Sequence, residues 1–175
     1  NAQSLRIVSK LHDFKGEFDG LDLTAATLNT ILKYTYPSSR KKTEQITSKK
    51  VGYFFAEEET FQKVTEITGS GTNRHPLTFI LEAADDIAYL VADMEDAIGK
   101  GVISFRDVRE FLLENLSTDA YNAPHSVHTR EVLNTIDEEV FSVNRFFVDL
   151  RDKLIDGARH NFVNHYDEIM DGTFN

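Results

Sequence analysis

RHPLTFILEAADDIAYLVADMEDAIGKG, residues 74–101, is the stretch whose reading decides the fold. Leu77, Ile80, Leu81, Ala84, Ala88, Val91 and Ile98 recur at helical spacing, which puts them on one face of an α-helix. Pro76 suits the first turn of that helix, where its missing N–H costs nothing. The apolar stripe is expected to pack against other helices. The same helix also carries Glu82, Asp85, Asp86, Asp93, Glu95 and Asp96. Asp85, Tyr89 and Asp93 stand four apart, and at ~100° per residue each step of four turns the position by only ~40°, so the three share one ridge. Asp85 lies at the edge of the apolar stripe. A carboxylate there is costly to bury unless a cation or hydrogen bonds compensate it, so a metal or a basic partner is expected beside it. The other acids read as solvent-facing, and structural ion pairs are the commoner explanation of such ridges.

Working outward, three prolines and nine glycines leave long uninterrupted periodic stretches, and the class is all-α with no convincing strand. Leu5, Val8 and Leu11, with Ile7 widening the stripe, predict a first helix that ends in the turn composition DFKGEFDG. A second helix is expected over residues 23–34, with Leu28, Ile31 and Leu32 inward and Pro37 closing it. A third is expected over residues 50–69, with Phe54, Phe61, Val64 and Ile67 inward and Glu57, Glu58 and Glu59 on its wet face. Beyond the quoted stretch, Ser104 and Asp107 have the spacing of a capping box at the start of a helix over residues 104–116. Residues 117–128 read as a loop. From residue 130 to 170, Leu133, Ile136, Val140, Val143, Phe147, Leu150 and Leu154 predict a long helix or a broken pair, with Gly157 as the break. The expectation is one helical domain over residues 1–175.

The charge of −10 disfavours non-specific binding to nucleic acid or an anionic membrane. One basic patch runs against it. Arg40, Lys41, Lys42, Lys49 and Lys50 bracket a Ser/Thr-rich loop, read as a solvated loop or as a contact for phosphate or nucleic acid. Without cysteine, a charged-then-apolar leader or an apolar run near 18 residues, the chain is expected to be cytoplasmic, with no membrane contact. Because it opens at Asn1 directly on a periodic segment, it is expected to be a fragment.

Catalytic motifs are sparse. There is no glycine-rich phosphate loop, no Ser/His/Asp order and no zinc-finger spacing. A divalent ion usually needs three or four side-chain ligands. His125 and His128 are loop candidates, although lone surface histidines are commoner. His160 and His165 read as ordinary helix surface. The pair His12-Asp13 is followed at once by turn residues and nothing pre-organises it as a site.

Taken in order, NAQSLRIVSKL, GLDLTAATLNTILKY, KKVGYFFAEEETFQKV and RHPLTFILEAADDIAYLVADMEDAI resemble the deoxyguanosine triphosphate triphosphohydrolase (dGTPase) family of the HD-domain superfamily. The resemblance is strong over residues 1–115 and weaker in FVNHYDEIMDGTF. It implies an HD-domain-like bundle of helices and hydrolysis of a deoxynucleoside triphosphate to deoxynucleoside and tripolyphosphate. It also implies a divalent metal, Mg²⁺ or Mn²⁺, held by a histidine, a His-Asp pair and a later aspartate. The later aspartate corresponds to Asp85. Tyr89 matches the position against the deoxyribose, and Asp93 extends that ridge. Lys33 and Tyr34 match positions that approach the triphosphate, and an ammonium and a phenol suit phosphate oxygens. Read without the resemblance, Lys33 and Tyr34 are a helix end with a cation near its negative pole.

The family's histidine and His-Asp pair precede the NAQ segment, so the catalytic residues are expected upstream of Asn1. With them, the resemblance implies metal-assisted attack of water at the α-phosphorus, Asp85 fixing the metal, Lys33 neutralising triphosphate charge and Tyr89 filling the place of a 2′-hydroxyl. A homo-oligomer is also expected. The competing reading is a non-catalytic helical module that binds nucleotide or a partner protein with an incomplete metal site. A third is an HD-superfamily phosphohydrolase acting on another phosphate ester.

Overall fold

The computed structural model describes residues 2–12, 16, 20–40, 46–116, 123–136 and 140–174. Among them every regular element is helical, with an isolated parallel bridge between Pro37 and Tyr53, as the all-α reading requires. No described helix is long and apolar enough to cross a membrane. The chain divides into two compact units, Asn1–Glu82 with Phe162–Asn175, and Ala83–Asn161.

The first unit opens with α1 (Ala2–Arg6), which widens into a π-helical turn over Ile7–Leu11, where the His12 N–H donates to the Ile7 carbonyl five residues back. Gly20, at φ 74°, lies against this turn. A Cβ there would meet the Ser9 carbonyl carbon at 2.5 Å, so only glycine fits. Helix α2 (Ala25–Thr30) starts at Thr24, whose hydroxyl accepts from the Thr27 N–H. It is shorter than residues 23–34. Leu32 N–H turns back to the Asn29 carbonyl, and the fully buried Asn29 amide donates to Thr68 Oγ1 (2.6 Å) and Ser70 Oγ (2.7 Å). The chain therefore leaves the helix before Lys33.

Helix α3 (Glu58–Thr68) follows a 3₁₀ turn, Phe55–Glu57, and stops at Gly69 in the left-handed conformation. A 3₁₀ turn takes three residues rather than 3.6, so it shifts the phase of what precedes the helix. Phe61 and Val64 are buried as the spacing predicts, but Phe54 and Ile67 are exposed and Glu57, expected on the wet face, is fully buried. Leu5, Leu32, Tyr53, Phe61 and Val64 make this unit's core, with Tyr53 stacked on Phe61 at 4.1 Å. Helix α4 (Pro76–Gly99) begins here and continues into the second unit.

The stripe along α4 is not buried as expected. Leu77, Ile80, Leu81, Ala84 and Ala88 are exposed, and of the seven predicted positions only Val91 is fully buried. In the first unit the helix instead presents Thr78, which is buried with its hydroxyl directed at the Asn29 carbonyl, and Phe79, whose ring meets Phe174 edge-on at 5.5 Å. The mean apolar direction of the sequence is thus not the direction in which this stretch of helix is packed.

The second unit is built on Val91, Phe105, Val108, Leu133, Val143, Phe146, Phe147 and Leu150. Helix α5 (Phe105–Asn115) begins with the predicted capping box: Ser104 Oγ accepts from the Asp107 N–H, and the Asp107 carboxylate accepts from the Ser104 N–H. Helix α6 (Ala123–Thr135) begins in sequence expected to be loop, residues 123–128, and runs on into the expected helix, while residues 117–122 fall outside the described residues. Leu133 and Ile136 therefore do not share a helix with Val143. That segment is α7 (Val140–Asn164), which passes through Gly157 without a break. The interruption comes at His165, after which α8 (Tyr166–Asp171) returns to the first unit and ends at Gly172.

Candidate functional site

The short α2 releases residues 31–37 as an irregular segment that opens in turns and is pinned on several sides. Thr35 N–H donates to the Thr47 carbonyl (3.0 Å), Thr35 Oγ1 to the Thr72 carbonyl (2.6 Å), and Gly52 N–H to the Tyr36 carbonyl (2.9 Å). Gly52 lies so close that any Cβ on it would collide with the Tyr34 carbonyl. Lys33 and Tyr34 thus lie just beyond the helix end, two and three residues past its C-cap Ile31. Tyr34 is buried, and Lys50 Nζ lies 5.9 Å from the centre of its ring.

Lys33 is held from the other side as well. Its ammonium pairs with Glu82 Oε1, while Glu82 Oε2 accepts from Arg74 Nη1 at 3.0 Å. Arg74 Nε in turn donates to the Lys33 carbonyl at 2.9 Å, and its guanidinium lies 5.5 Å from the Phe79 ring centre. The three residues close a ring of contacts: Arg74 grips both the backbone of Lys33 and the carboxylate that grips its side chain. Two cations share one carboxylate, which leaves the triad with a net charge of about +1. Glu82, read from the sequence as solvent-facing, is a correction: it is half-buried and doubly paired. Arg74 precedes the helix, so no periodicity in the sequence relates it to Glu82.

Asp85, Tyr89 and Asp93 lie along α4 in the second unit and are all exposed, Tyr89 at 65%. The burial that would force a compensating cation on Asp85 is therefore not met within this chain. Tyr53, beside the Lys33 segment, has its phenol pushed above its usual pKa by burial and by the nearby Glu58 carboxylate, against a smaller opposing effect of Arg40.

The other candidates separate. His128 Nε2 meets Asp149 Oδ2 at 3.1 Å and His165 Nδ1 meets Glu168 Oε2 at 2.9 Å, one carboxylate each. His12 is exposed, while Asp13, Lys41, Lys42 and the side chain of His125 fall outside the described residues. Arg40, Lys49 and Lys50 are exposed. Among the described residues no group of three or more His, Cys, Asp or Glu could hold a metal ion, so a divalent cation does not fit the described residues alone.

Fold and site together define an all-helical protein with a cationic triad built around a pinned lysine. No family model matches the chain. Individual proteins do. It is 42% identical over 183 residues to a deoxyguanosinetriphosphate triphosphohydrolase-like protein of Listeria monocytogenes, covering 100% of this chain and 38% of that protein. It is 33% identical over 195 residues to a deoxyguanosinetriphosphate triphosphohydrolase of Klebsiella pneumoniae, covering 100% of this chain and 36% of the relative. A probable enzyme of that name from Pseudomonas aeruginosa is 30% identical over 195 residues, covering 99% and 38%. The chain is a relative of the deoxyguanosinetriphosphate triphosphohydrolase-like proteins along its whole length, and it spans a little over a third of theirs.

Proposed function

We propose that this chain is part of a cytoplasmic, homo-oligomeric enzyme that hydrolyses dGTP or other deoxynucleoside triphosphates to deoxynucleoside and tripolyphosphate. The observation that carries the reading is the Lys33, Arg74 and Glu82 triad, a net cationic site in a chain of charge −10; the resemblance sets Lys33 at a position that approaches the triphosphate. Lys33 neutralises phosphate charge and Tyr34 lies beside it. Tyr89 packs against the deoxyribose, and Asp93 extends that ridge.

In the reaction, the oxygen of water bonds to the α-phosphorus as the bond to the 5′-oxygen breaks, and that oxygen leaves with a proton. The triphosphate oxygens carry negative charge in the ground state as in the transition state, and a pre-placed ammonium binds that charge in both. Asp85 is the residue of this chain assigned to a divalent metal, Mg²⁺ or Mn²⁺. The remaining donors are expected outside this chain, which spans a little over a third of its relatives' length.

The test is the intact polypeptide incubated with dGTP and Mn²⁺. Released tripolyphosphate supports the reading, and orthophosphate points to another phosphohydrolase. A rise in melting temperature without turnover favours the nucleotide- or partner-binding module, the second reading. The intact Tyr89→Ala variant is expected to narrow the preference for deoxyribonucleotides over ribonucleotides by about tenfold in kcat/KM. Unchanged discrimination removes Tyr89 from the sugar site.

A further inference from the structure

We infer that Glu82 and Arg74 are positioning residues that hold the Lys33 ammonium ready for a polyphosphate; the inference rests on the reading of Lys33 given above. A lysine is a compact charge on a flexible four-carbon stem, and ordering it when ligand arrives costs conformational entropy. Here the stem is ordered in advance. Glu82 Oε1 engages the ammonium, and Glu82 is itself held by Arg74 Nη1 at 3.0 Å. Arg74 has no latitude to drift: its side chain is only 8% accessible, its Nε is bound to the Lys33 carbonyl at 2.9 Å, and the Phe79 ring lies beside it. The planar guanidinium fork fixes the angle between these two bonds. Backbone and side chain of Lys33 are therefore referred to one rigid group.

The arrangement separates two effects of opposite sign. Considered only as a charge, the Glu82 carboxylate repels an incoming triphosphate, so neutralising it should tighten binding. Considered as the anchor of Lys33, it lowers the ordering cost of binding, so removing it should weaken binding. Two cations already share that carboxylate, which blunts the repulsion but not the anchoring. Anchoring is accordingly the dominant effect.

The experiment is steady-state release of tripolyphosphate from dGTP by the intact polypeptide with Mn²⁺, comparing wild type, Lys33→Met, Glu82→Gln and the double variant. Glu82→Gln is expected to raise KM on the order of tenfold with kcat changed less than about twofold, and to add nothing further in the Lys33→Met background. A lowered KM overturns the inference, because charge alone would then explain Glu82. An increase that persists in full without the Lys33 ammonium also overturns it, since Glu82 would then be acting elsewhere. If Lys33→Met leaves KM unchanged, the reading of Lys33 as a triphosphate contact fails, and the inference with it. Should Glu82→Gln fail to melt cooperatively, Glu82→Asp keeps the charge and shortens the reach; the same coupled rise in KM is expected, and its absence overturns the anchoring role.

Discussion

Glu57 shows how far a single residue can depart from its sequence reading. It sits in an acidic run beside Glu58 and Glu59, yet its side chain is 1% accessible, and Arg6 Nε and Lys10 Nζ approach its Oε1 at 3.9 and 3.6 Å. Neither carboxylate oxygen accepts a hydrogen bond, so the charge is compensated mainly by these two cations. Lys10 also donates to the Ala56 carbonyl at 2.6 Å. Lys10→Met is expected to cost about 2 kcal/mol, less than the roughly 3–5 kcal/mol of breaking a fully buried pair, because Lys10 is half-exposed and Arg6 remains. Urea denaturation checks this, and a change below about 0.5 kcal/mol would mean that Arg6 suffices. The buried Glu57 was illegible because burial of one acid among three is decided by which cations the fold delivers, and Arg6 and Lys10 lie some fifty residues away in sequence.

At the scale of the element, local chemistry was readable where it is self-contained. The Ser104 and Asp107 capping box follows from two residues three apart, and it is present. Ser104→Ala is expected to cost about 1 kcal/mol, measured by chemical denaturation of the intact chain. The cap also has a pH signature. Hydrogen bonds from the Ser104 hydroxyl and then the Ser104 N–H hold the Asp107 carboxyl below its ordinary 3.8. A depressed folded pKa means that the contribution is complete above about 3.8 and is lost as pH falls through the lower folded value. The wild type and Ser104→Ala stability curves should therefore converge on acidification below pH 4, and curves that stay parallel would deny the cap its electrostatic part. Helix ends without such a local signature were misjudged. Helix α2 stops at Thr30, where the Leu32 N–H turns back to the Asn29 carbonyl, while the Asn29 amide is tied to Thr68 and Ser70, and no residue near Asn29 announces those partners.

For the whole molecule, the two units have separate apolar clusters, one around Phe61 and Leu5 and the other around Leu133 and Phe147. Leu133 is fully buried, so Leu133→Ala is expected to cost about 2–5 kcal/mol, and Phe61→Ala about 3–5 kcal/mol. Because the clusters share no residue, the two losses should add to within about 0.5 kcal/mol in a double-mutant cycle. Coupling well beyond that would show that the cores stabilise each other. The connectivity gives such coupling a route, since α4 and α7 each begin in one unit and end in the other.

The sequence by itself determined the helical class, the start of α5 and the similarity to the triphosphohydrolase-like proteins, because each rests on periodicity, local hydrogen bonding or ordered motifs along the chain. It also singled out Lys33, which the tertiary structure then surrounds. What only the tertiary structure decided is which face of α4 is covered, why Glu57 is buried, and how Arg74 and Glu82 close on Lys33. The physical reason is common to all three. Burial and ion pairing depend on groups brought together from distant parts of the chain, and a periodic pattern records which face is apolar without recording what will lie against it.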